Sequence, residues 1–147
     1  MRGHPVPVPI PVPDTEAPVP DFDHERLDVY QAAIEFVATA HALVQRFPPG
    51  YGDLADQLRR AAISIPVNVA EGAGEFSGRK KARFYRMGLR SATECAAILD
   101  VLRVMRIADE SELGAGRELL LRIVSMLTRM TAKRPGTGTG TGTGTMR

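Results

Sequence analysis

The sequence predicts an all-α protein, an antiparallel up-down four-helix bundle flanked by disordered N- and C-terminal arms. Apolar residues recur at intervals of three and four across four stretches, and no alternating strand pattern of any length occurs. Short segments rich in proline and glycine separate the stretches, and short connections favour antiparallel neighbours. Composition agrees: aromatics are 5%, Trp is absent, and Ala, Leu, Val and Ile supply the apolar residues.

At 147 residues the chain is the size of one domain. Residues 1–22 form the first arm, with the run Pro-Val-Pro-Val-Pro-Ile-Pro-Val-Pro at 5–13. Such a run favours a stiff polyproline-II spacer, or a ligand for an aromatic groove. The bundle spans 23–134, and residues 135–147 carry a Gly-Thr repeat expected to be a disordered tail.

The first helix is expected over about 23–46, with Leu27, Tyr30, Ile34, Val37, His41 and Val44 on its apolar stripe, and Phe47-Pro48-Pro49-Gly50 ends it. The second covers about 51–72, with Leu54, Leu58, Ala61, Ala62, Ile65 and Val69 inward. Gly72 and Gly74 provide its stop through the left-handed conformation that glycine tolerates. The third runs from Ser77 or Gly78 to about Arg106, with Phe84, Met87, Ser91, Cys95, Ile98, Leu102 and Met105 as a stripe widened by Tyr85, Ala92, Ala96 and Leu99. The fourth extends from Asp109 or Ser111 to Lys133 and carries Leu113, Leu120, Leu121, Val124, Leu127 and Met130. Its acids at the start and Lys133 and Arg134 at the end suit the helix dipole.

The net charge is only +2, but it is unevenly spread. Acids crowd the N-terminal quarter, whereas Arg79, Lys80, Lys81, Arg83, Arg86 and Arg90 form a basic run with no acid between them. Helical spacing of four, three and four aligns Arg79, Arg83, Arg86 and Arg90 on one face. That face fits phosphate contact; it also fits a solvated surface with ion pairs to Glu75, Glu94 or a neighbouring subunit. The single Cys95 suits a reducing compartment and a core position. No apolar run is long enough for a membrane span, and the proline-broken N-terminus is no signal peptide, so the expected location is the cytoplasm with no membrane partner. No residue set has metal-ligand spacing or pairs a nucleophile with a base, so no enzyme, cofactor or metal is expected.

The most specific segment is Gln57-Leu58-Arg59-Arg60-Ala61, continuing through Ser64-Ile65-Pro66-Val67-Asn68-Val69-Ala70-Glu71-Gly72. A proline inside a helix costs roughly 3 kcal/mol, so packing around Pro66 must compensate. Asn68 is placed to hydrogen-bond a carbonyl that Pro66 leaves free. Arg59 and Arg60 admit two roles, phosphate ligand or ion-pair partner that fixes the bundle. The second suits Arg60, beside the apolar face, with Glu94 or Glu71 opposite.

This segment resembles the four-helix-bundle family encoded by intervening sequences of bacterial large-subunit ribosomal RNA, to which the accessory protein of diversity-generating retroelements looks related. Leu27-Asp28-Val29-Tyr30 is similar to the family's opening, and Phe84-Tyr85, Ser91 and Glu94 to its third helix; together they span about 26–131. Arg90 stands where that pattern commonly has glycine, and Lys80-Lys81 lie near a commonly acidic position. The resemblance implies a homopentamer and a nucleic-acid or protein partner, and no reaction. Two functions therefore stand open: an oligomer that holds RNA or DNA through its basic helix face, and a multivalent protein adaptor that presents one face or the proline-rich arm.

Overall fold

The computed structural model describes residues 22–132. The arm before Phe22 and the Gly-Thr tail, with Lys133 and Arg134, lie outside the described residues. The described chain forms a short 3-10 turn, Asp23–Arg26, and four helices: α1 Asp28–Gln45, α2 Gly52–Ala73, α3 Gly78–Met105 and α4 Glu110–Ala132. Where one helix was expected from residue 23, Leu27 takes an extended conformation (φ −82°, ψ 129°) and separates the turn from α1. The turn is tied down by Phe22 N–H donating to Glu25 Oε1 at 3.0 Å.

The helices pack as a closed cycle, α1 on α2, α2 on α3, α3 on α4 and α4 on α1. Cross-helix pairs set the directions. Ser64 meets Ser91 while Gly72 meets Tyr85 and Lys81, so α2 and α3 run antiparallel. Arg103 meets Glu110 and Leu99 meets Gly116, which makes α3 and α4 antiparallel. Arg46 meets Glu112 and Phe36 meets Gly116, which does the same for α1 and α4.

The core is built from Phe36, Leu43, Leu58, Ile65, Leu102, Leu113, Leu120, Ile123 and Leu127, all fully buried. On α2 the expected inward face holds, with Leu54 at its edge. On α1 the core stripe is Val29, Ala32, Ala33, Phe36, Ala40 and Leu43, with Val44 shared between the two stripes. The stripe expected there is rotated outward: Ile34 and His41 are exposed, and Leu27, Tyr30 and Val37 pack only against the core's margin. The rotation buries Phe36 and Leu43 together with Val29 and three alanines, and it leaves the polar imidazole of His41 in water. On α3 and α4 the residues Met87, Met105 and Leu121 are likewise exposed, while Tyr85, Gly88, Ala92, Leu119 and Ile123 take the interior.

The helix ends also depart from expectation. Neither Gly72 nor Gly74 is left-handed; Gly72 is a buried residue of α2, and Gly74 caps the helix at φ −87°. The left-handed cap falls instead on Arg106 (φ 58°), after α3, with Ile107 N–H bonded to Leu102 O and Arg106 N–H to Arg103 O. Those bonds satisfy carbonyls that the helix end would otherwise leave unpaired.

Candidate functional site

The motif segment occupies the second half of α2 and divides its residues among three surroundings. Ile65 and Val69 enter the core. Ser64, Asn68 and Gly72 face α3. The Ser64 and Ser91 hydroxyls lie 2.8 Å apart, and Asn68 Nδ2 donates to Ser64 Oγ at 3.0 Å and to Ser64 O at 2.9 Å. Asn68 thus does bond a carbonyl, but at Ser64 rather than at Ala62, the carbonyl that Pro66 leaves without its helical donor. α2 continues through Pro66 without interruption.

Gly72 is required for close approach. A Cβ there would lie 2.6 Å from Tyr85 Cε1 and 3.2 Å from Lys81 O. A Cβ at Gly88 would meet Asn68 Cβ at 3.6 Å and Ile65 O at 3.7 Å, ordinary contact, so that position does not require glycine. The close helix approach at this seam therefore rests on Gly72, while Arg90, the departure from the family pattern, is exposed. Tyr85 and Cys95, on the buried face of α3, have their pKa values raised by burial. For Cys95 the value is pushed up to about 12, with the Glu94 charge adding, so the thiol stays protonated and packs as an apolar group.

The basic run begins where α3 begins. Ser77 caps the helix, its side chain accepting from Lys80 N–H at 3.3 Å. Lys81 is diverted from the run: its ammonium donates to Gly72 O at 3.0 Å and Ala73 O at 3.2 Å, and so caps the C-terminal end of α2. Arg79, Lys80, Arg83, Arg86 and Arg90 are all exposed. None of them forms an ion pair among the described residues, so of the alternative partners Glu75 and Glu94 neither is used. The same holds for Arg60, which is exposed rather than semi-buried and pairs with neither Glu71 nor Glu94. Its neighbour Arg59 pairs instead with Asp56 at 2.8 Å, both exposed, a contact within one helix that ties nothing together.

On its other side α2 meets α1 in a groove lined by Tyr30, Ile34, Val37, Ile63, Pro66 and Val67, with Ala70 and Glu71 at one end. Ile34 is 45% exposed, and Ile63 and Val67 are each 49% exposed. Two features were missed in the sequence. The Ser64–Ser91 contact carries no local signal because it joins separate helices. Phe76, fully exposed in the turn between α2 and α3, was readable only as a loop aromatic beside cations.

Among the described residues no group of His, Cys, Asp and Glu is arranged to hold a metal ion, and no helix is long and apolar enough to cross a membrane. The described residues form a four-helix bundle with a tightly fitted motif seam and a cationic helix face that makes no ion pair among them. A family model described as 23S rRNA-intervening sequence protein matches residues 25–129, and the chain belongs to that family. No curated protein matches the chain.

Proposed function

We propose that the protein is a non-enzymatic, cytoplasmic homo-oligomer, five-membered as the family resemblance implies, that holds RNA or DNA along the outer face of α3. The observation that carries this reading is a row of cations that pair with no acid among the described residues and that starts at the N-terminal end of α3, where the dipole disfavours positive charge. Arg79–Arg83 and Arg86–Arg90 are like-charge pairs four residues apart, each unfavourable by roughly 0.2–0.5 kcal/mol. The first turn of α3 contains no acid, only Arg79 and Lys80, opposite to what the helix dipole favours. A polyanion relieves both penalties and releases its own counterions as it does so. The apolar groove between α1 and α2 supports the oligomer, since contiguous exposed apolar surface is what subunit association buries.

Fluorescence anisotropy with a structured RNA and a DNA duplex, followed across a salt series, tests this. Binding should weaken steeply with salt, and Arg83→Ala or Arg86→Ala should each lower the slope of log K against log salt by about 0.7–0.9. Absence of binding at low salt would remove the reading. The groove and the proline-rich arm would then favour the multivalent protein adaptor.

A further inference from the structure

The turn between α2 and α3 places an aromatic ring where phosphate contacts alone have no use for one. Phe76 is 101% exposed, and its position is not that of a fraying end. On one side Gly74 N–H bonds Ala70 O at 3.2 Å and Glu75 N–H bonds Gly72 O at 3.1 Å. On the other, Ser77 caps α3 through its side chain, and its carbonyl accepts from Lys81 N–H at 2.9 Å. The backbone on both sides of Phe76 is therefore anchored, and the ring is held out in water. Leaving such a ring in water forgoes the apolar burial that a core position would provide.

Three residues further along the chain the cation row begins, in the first turn of α3. From Arg79 to Arg90 the row rises about 16 Å along α3 at 1.5 Å per residue. An exposed aromatic at the end of a cationic track is the arrangement that binds single-stranded nucleic acid, in which an unpaired base lies on the ring while the following phosphates meet the cations. A regular duplex has no use for the ring, because its bases are already stacked. An anionic lipid surface is the competing partner. It is less suited, since the cations run as a line along one helix and the turn offers a single ring rather than an apolar helix face.

We infer that Phe76 is a base-stacking residue, and that the α3 face takes single-stranded or looped RNA or DNA rather than uninterrupted duplex. This rests on the nucleic-acid reading above and narrows its substrate class.

The full chain contains no tryptophan, so Phe76→Trp introduces a single tryptophan at the site, excitable apart from the three tyrosines. Titration with oligothymidylate should quench that fluorescence, whereas a blunt duplex should leave it unchanged. Phe76→Ala should weaken oligothymidylate binding about 5- to 150-fold with an unaltered salt slope, because the lost contact is uncharged, and should leave duplex affinity unchanged. As the ring is fully exposed among the described residues, thermal stability should not move.

If Phe76→Ala binds single strands as tightly as the parent while Arg83→Ala and Arg86→Ala bind more weakly, the stacking role fails and phosphate contact stands. If neither single strand nor duplex binds, the underlying reading fails. A blue shift of the tryptophan with phosphatidylserine vesicles, and none with oligothymidylate, would assign the turn to a lipid surface. A change in oligomeric mass in Phe76→Ala by light scattering would make the ring a subunit contact and overturn the stacking role.

Discussion

The two sides of α2 are built on opposite plans. Toward α3 the helix presents Ser64, Asn68 and Gly72, and the seam closes tightly enough that a single added methyl would meet the Tyr85 ring. Toward α1 it presents Ile63, Pro66 and Val67, and the surface stays open. The closed seam uses small and polar residues, with hydrogen bonds that specify one register. The open groove uses branched apolar residues with no polar partner to specify anything. Within one helical stretch, the small and polar residues on one side fix the packing against α3, and Ile63 and Val67 on the other remain half exposed.

The contrast is broken most severely at Gly72. Gly72→Ala must displace the buried Tyr85 ring or shift Lys81, and should destabilise the protein by about 1–3 kcal/mol, read as a lowered midpoint in urea unfolding. Next comes the polar link. Ser64→Ala leaves the Ser91 hydroxyl and the Asn68 amide short of a partner and should cost about 1–2 kcal/mol in the same measurement. Smallest in folding energy is the groove. Ile63→Ser combined with Val67→Ser should change unfolding of the isolated chain by no more than about 0.5 kcal/mol per site. The same pair should lower the oligomeric mass measured by sedimentation. A groove variant that unfolds as easily as Gly72→Ala would show that both sides of α2 serve the fold, and the contrast would collapse.

Much of this is legible in the sequence. Pro48 and Pro49 end α1, Ser77 starts α3, and the acids near Asp109 open α4, because these signals act through the backbone groups next to them. The inward face of α2 was legible for a similar reason: its apolar residues occupy one narrow stripe. On α1 they do not. Apolar residues cover more than half its circumference, and periodicity alone cannot say whether Ile34 or Phe36 turns inward. The candidate site divides the same way. The alignment of Arg79, Arg83, Arg86 and Arg90 follows from helical spacing, but the loss of Lys81 from that row does not. Its capping of Gly72 and Ala73 depends on how closely α2 and α3 approach at their shared turn.

By itself the sequence determined the all-α class, the four helices, most of their ends, the family and the continuous basic face. Each of these is encoded by residues within a few turns of one another. Only the tertiary structure decided the use of Gly72 for close approach rather than as a helix stop, the exposure of His41 and Arg60, and the open groove beside Pro66. It also decided that Phe76 is held in water. Those outcomes depend on what a neighbouring helix leaves room for, and packing density couples residues that the chain keeps far apart.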